Sequence, residues 1–187
     1  MKRLNKIEIF SLGLLFLLLI QDSYGLFECI LIKFEPMIKN SKIFDLDSFK
    51  IARFNRTTFV FNGSMEMSLD SFEDLEAVCE LFKKAGNDYK LTPYKMGPAN
   101  ICKLIKDDDF FYAGFHKHTD FPPLKTCDFK KGVKYNIKNY LPDMSKVPPV
   151  FESGDYMVEC KISKGEEFIQ GTVTYSQMYN IASAGLG

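Results

Sequence analysis

Residues 55–69 read NRTTFVFNGSMEMSL, and their alternation decides the fold class. Thr57, Phe59, Phe61, Gly63, Met65, Met67 and Leu69 fall on one parity. Thr58, Val60, Asn62, Ser64, Glu66 and Ser68 fall on the other. Successive side chains of a strand point to opposite faces, so nearly every large apolar group here faces one way. The stretch opens with Asn-Arg-Thr, and its polar parity carries Asn-Gly-Ser. Both are acceptor patterns for an N-linked glycan, at Asn55 and Asn62. Asn62-Gly63 is also a turn or bulge dipeptide, a reading that splits the strand in two.

Working outward, strand signals recur along the chain. FECILIKF (27–34) is a short apolar run, and DSFKIARF (47–54) pairs naturally with the opening stretch. LEAVCELF (75–82) is open between strand and helix. DYKLTPY (88–94) suits a sheet edge, because Pro93 cannot donate to a ladder. VKYNIKNY (133–140) alternates Val133, Tyr135 and Ile137 with Lys134, Asn136 and Lys138. The clearest hairpin joins DYMVECKIS to EFIQGTVTYSQM, with Gly165 in the turn. One short helix is expected at 98–106, with Pro98 in its first turn. These elements predict one all-β domain, an antiparallel two-sheet sandwich or cup with at most one short helix.

The N-terminus predicts the compartment. Lys2, Arg3 and Lys6 precede an apolar run from Ile9 to Ile20, and Ser23 and Gly25 then stand in a small-x-small arrangement. That is the anatomy of a cleaved secretory leader, residues 1–25. The rival reading, a membrane anchor, needs about 20 apolar residues, more than this run supplies. Cleavage leaves a secreted domain of residues 26–187 with a frayed tail, ASAGLG. The leader removes three bases and two acids, so the 24 Lys+Arg and 24 Asp+Glu become 21 and 22. So balanced a charge gives no general attraction for nucleic acid or anionic membrane. With 18 Phe, 8 Met and no Trp, the interior is expected to rely on side chains that need no hydrogen-bond partner.

Five cysteines stand beyond the leader: Cys29, Cys79, Cys102, Cys127 and Cys160. In an oxidising compartment they predict two disulfides and one odd thiol. Cys79 shares a parity with Leu75, Ala77 and Leu81, and Cys160 shares one with Tyr156, Val158 and Ile162. Both look inward and can meet across a core, provided 75–82 is a strand. If it is a helix, Cys29 becomes a candidate partner for Cys160. Cys102 and Cys127 bracket a loop-like segment whose closure stabilises a fold by roughly 3 kcal/mol on the chain-entropy estimate. Other pairings stay open on sequence alone.

Catalytic signals are scarce. His116 and His118 form HKH near Asp120; zinc sites usually recruit four ligands, so an exposed polar loop is the expected reading and no metal is assigned. The acids at 107–109 lack the spacing of a calcium loop. No nucleophile elbow, phosphate-binding glycine loop or zinc-protease helix motif is present. The chain therefore reads as non-enzymatic and cofactor-free.

FKIARFNRTTFVFNGSMEM and the later NICKLI…CDFKKGVKYNIKNYLPD…PPVFESGDYMVECKI together resemble a large insect family of small secreted proteins. That family includes the CheB-type chemosensory proteins and is similar to the ML lipid-recognition domains, such as the ganglioside activator protein. The resemblance covers roughly residues 45 to 175. It rests on Cys102, Cys127, Lys131 to Asn139 and Gly154 to Tyr156, positions that are structural rather than catalytic. Many members have Pro after the second cysteine, where this chain has Asp128-Phe129. The resemblance supports the Cys102–Cys127 pairing and implies an immunoglobulin-like ML cup with a cavity for a lipid or small hydrophobic molecule. Phe59, Phe61, Met65, Met67 and Leu69, with Tyr156 and Val158 from the late hairpin, are then the expected ligand-binding wall. In a closed sandwich the same residues are ordinary core. The alternative function is a secreted interaction module that binds a receptor or other extracellular protein, with aromatics of DFFYAGFHKHTDF as the contact.

Overall fold

The computed structural model describes residues 27–38, 43–69, 71–108, 111–146 and 151–181. The expected leader and the tail ASAGLG lie outside them. Among the described residues, nine strands form two antiparallel sheets. The larger sheet runs in the order β1 (Phe27–Ile38), β9 (Glu167–Asn180), β8 (Gly154–Lys164), β5 (Glu76–Ala85), β6 (Asp88–Asn100). In the smaller sheet β4 (Phe59–Met67) is central. It pairs with β2 (Phe44–Asp45) and β3 (Lys50–Arg53) on one side and with β7 (Lys134–Tyr140) on the other. The expected all-β two-sheet sandwich is the observed fold. The segment 75–82 is a strand, and β6 lies on a sheet edge as its proline requires.

β2 and β3 behave as one edge strand broken at 46–49, and a side chain repairs the break. Ser64 N donates to Ser48 Oγ at 2.9 Å, where a backbone carbonyl would otherwise accept. Close approach of this turn explains Gly63, whose φ is +141°, because a Cβ there would collide with the Ser48 carbonyl. The register shift against β7 between Phe61 and Gly63 makes this the bulge that Asn62-Gly63 signals, and β4 remains one continuous strand through it. Val60 and Ser64 are buried, although both lie on the parity expected to face water.

The helix expected at 98–106 is α1 (Ile101–Asp107), and Pro98 stays in β6. Asn100 sets the start. Its Oδ1 accepts from Lys103 N at 3.2 Å, while its Nδ2 donates to the carbonyls of Phe72, Glu73 and Leu75. A second short helix, α2 (Phe111–His116), occupies the segment read as a loop.

Cys79 and Cys160 stand directly opposite in β5 and β8 and form one disulfide; Cys102 and Cys127 form the other. No helix among the described residues is long and apolar enough to cross a membrane.

The interior consists of three apolar clusters. Ile43, Met67, Phe72, Leu75, Ile101, Phe129 and Tyr135 close one end. Leu31, Phe61 and Ile137 fill the middle with Phe34, Phe49 and Tyr140 around them. Phe27, Met144, Tyr156 and Met178 occupy the other end. Among the described residues, one buried polar side chain stitches the sheets. Gln170 of β9 is 1% exposed; its Oε1 accepts from Ile43 N (2.7 Å) and Phe44 N (2.9 Å), and its Nε2 donates to Phe44 O (2.8 Å).

Candidate functional site

Residues directly opposite in an antiparallel ladder share a face. Gln170 pairs with Ile162, Thr172 with Cys160, Thr174 with Val158 and Ser176 with Tyr156, so the inner side of β9 is largely polar. Its outward neighbours Val173 and Tyr175 are the apolar ones. β8 and β5 continue the inner face through Cys79, Leu81 and Lys83, with Cys79 opposite Cys160, Leu81 opposite Val158 and Lys83 opposite Tyr156. The smaller sheet approaches the larger one at β1, which packs against β3 and β4. At the far side, where β5 and β6 turn, the larger sheet carries an open cleft.

That cleft has a volume of about 500 Å³ and is lined by residues 83–85, 90–94, 151, 152 and 156. Its floor is aromatic: Tyr94 and Phe151 lie 4.5 Å apart between ring centroids, and Phe151 is 6.2 Å from Tyr156. Tyr156 is buried, and its hydroxyl donates to the Glu152 carbonyl at 2.7 Å, which fixes the segment entering β8. Leu91 stands at the lip, 59% exposed. The rim is cationic. Lys83 pairs with the Glu152 carboxylate and sits 5.9 Å from the centre of the Tyr156 ring. Lys84 pairs with Asp155 at 3.4 Å. Lys90 lies opposite Lys83 in the ladder and makes no ion pair among the described residues. The Glu152 carboxylate beside it raises the pKa of Lys83, and the ammonium lowers that of Glu152. The pair is therefore fully charged throughout the neutral range. A mostly apolar trough with a charged edge can hold an amphipathic small molecule, and its size falls within the usual range for ligand pockets, about 300–1,000 Å³.

The seven residues expected to form a ligand wall occupy different places. Phe61 and Met67 belong to two buried clusters, Phe59 and Met65 pack around them, and Leu69 packs at the edge of the first. Rings of Phe34, Phe49 and Tyr140 crowd Phe61, at 5.1 Å for the stacked Phe49. Val158 is half-buried on the inner face of β8. Tyr156 alone lines the cleft. Lys83, Lys90, Tyr94 and Phe151 carry no joint signal in the sequence, because they are scattered over three segments. Tyr94 sits beside the proline that marked an edge strand, the one local signal available.

Two of the loop aromatics, Phe115 and Phe121, serve the interior. Phe115 and Phe121 pack against the middle cluster, and Phe121 stacks edge-on with Phe129 and Tyr135. His116 Nε2 lies 2.9 Å from the Pro122 carbonyl and His118 Nδ1 lies 3.1 Å from the Lys138 carbonyl, so each histidine donates to backbone. A second, polar hollow of about 260 Å³ beside His118 is framed by Lys117, Asp120, Asn136 and Lys138.

The two sequons differ. Asn55 is exposed at the β3–β4 turn, with Oδ1 accepting from Thr57 N and Thr58 N. Asn62 is tied to Asn139 in both directions, Nδ2 to Oδ1 at 3.1 Å and backbone N to Oδ1 at 3.0 Å.

Cys29 is the free thiol, on the inner face of β1 between two clusters. Burial pushes its pKa up to about 11, against an ordinary 9.0, despite a hydrogen bond from Ser176. Two pH units correspond to about 100-fold less thiolate, so alkylation by iodoacetamide at pH 8 should be about 100-fold slower in the native protein than in urea. The native rate should keep rising until pH approaches 11, whereas an exposed thiol levels off near 9. Equal rates in the two states, read by mass spectrometry, would show that the thiol is accessible.

Residues 77–158 are similar to a family of proteins of unknown function, DUF1091. The matching span runs from β5 to β8 and includes every residue of the cleft. No curated protein matches the chain.

Proposed function

We propose that this is a secreted, non-catalytic protein that binds a lipid or other small, largely hydrophobic molecule, with the cleft between the β5–β6 turn and the start of β8 as the site. The observation that carries the reading is the aromatic pair Tyr94 and Phe151, left open above the buried Tyr156. Binding would draw on apolar area removed from water, at about 25 cal/mol per Å². The resemblance to CheB-type proteins and ML lipid-recognition domains favours a hydrophobic ligand, in an insect chemosensory setting. Two disulfides and the expected leader favour an extracellular location, where Asn55 and Asn62 would be glycan acceptors. Non-catalytic action agrees with a free thiol that is buried and protonated, the reverse of an activated nucleophile. Phe115 and Phe121 of the segment expected to contact a partner pack inward, which weakens the interaction-module alternative, while Phe110 of that segment lies outside the described residues.

Native mass spectrometry of protein recovered from the medium of a eukaryotic secretory culture, before and after organic extraction, tests this reading. The expected result is a glycosylated protein that releases a small hydrophobic compound and rebinds it. No released compound, together with no binding across a broad lipid panel, would end the carrier reading.

A further inference from the structure

Resting on the cleft reading above, we propose that the ligand is an amphipathic anion whose head group takes the place on Lys83 that the Glu152 carboxylate holds in the free protein. Glu152 acts as a built-in stand-in for a ligand carboxylate. Its side chain is 79% exposed and comes from the segment just before β8, so little packing holds it on Lys83. Lys83 is anchored far better: it projects from the inner face of β5, is 31% exposed and lies over the Tyr156 ring.

The placement of charge supports an exchange. Lys83 and Lys90 are directly opposite in the β5–β6 ladder. Like charges at such positions oppose strand pairing. Glu152 neutralises one of them, Lys84 is engaged by Asp155, and Lys90 has no counter-ion among the described residues. An incoming anion between Lys83 and Lys90 would satisfy both, while its apolar tail covers Tyr94 and Phe151. Exchanging one exposed carboxylate for another costs little, because exposed ion pairs contribute little net stability. The tail then supplies the surplus that favours the ligand over Glu152.

Calorimetric titration of the purified protein with sodium decanoate and with 1-decanol tests the head group separately from the tail. Glu152→Gln removes the internal competitor and should tighten decanoate about 3- to 10-fold, leaving decanol within about twofold. Lys83→Gln should weaken decanoate about 10-fold and Lys90→Gln several-fold, again with decanol little changed. Equal effects on acid and alcohol, or no effect of any of the three substitutions on decanoate, would overturn the anion proposal while leaving the cleft reading standing. Failure of both probes to bind would overturn the two together.

Discussion

Replacing Gln170 with leucine is expected to lower the stability of the protein by about 3–5 kcal/mol, although the two side chains are similar in size. Gln170 is buried on the inner face of β9 and accepts from two backbone amides, Ile43 N and Phe44 N, while donating to Phe44 O. Leucine leaves all three backbone groups without partners. Each stranded buried group costs about 1–3 kcal/mol, and Phe44, which is half-buried, recovers part of its share from water. Gln170→Glu keeps the acceptors but removes the donor and places a charge against buried backbone, so it should be no better tolerated. Urea denaturation of both variants checks this. A loss below about 1 kcal/mol would mean that the smaller sheet is not held to β9 in this way.

Opening the Cys79–Cys160 disulfide by the double substitution Cys79→Ala, Cys160→Ala should be comparably damaging. The bridge spans 81 residues of chain, and the chain-entropy estimate for such a loop is about 4.5 kcal/mol. The same change at Cys102 and Cys127, a separation of 25, should cost less, about 3.5 kcal/mol. Equilibrium unfolding of the two double variants gives the order directly. The reverse order would show that local packing around α1 outweighs loop closure. The first bridge also clamps β5, which carries Lys83, so its loss should loosen the cleft before the rest of the fold.

The alternation at 55–69 announced a sheet because Phe59, Phe61, Met65 and Met67 repeat at the period of a pleated strand. Inward parity likewise brought Cys79 to Cys160, since opposite positions of a ladder must share a face. What periodicity does not carry is the identity of a side chain that acts for backbone. Gln170 and Ser48 look like unremarkable polar residues until the edge strand is found broken at 46–49, where Ser48 accepts from Ser64 N of β4 and Gln170 from the amides of Ile43 and Phe44. The inner face of β9 was unreadable for the same reason, because Thr172, Thr174 and Ser176 face inward and Val173 and Tyr175 outward. The cleft was hidden by distance along the chain: Lys83, Lys90, Tyr94 and Phe151 meet only after the β5–β6 turn and the β8 entry are placed. Helix α2 was missed because FYAGFH is too short to show a helical period.

On the proposed function, the open end of the larger sheet, and not the Phe61–Met67 interior, takes the ligand. Amide and methyl chemical-shift mapping of the isotope-labelled protein during a decanoate titration tests it most directly. Binding in the cleft should give saturable shifts centred on Lys83, Lys90, Leu91, Tyr94, Phe151 and Tyr156, with Phe61, Met65 and Met67 unmoved. Saturable shifts centred on Phe61 and Met67 would contradict it.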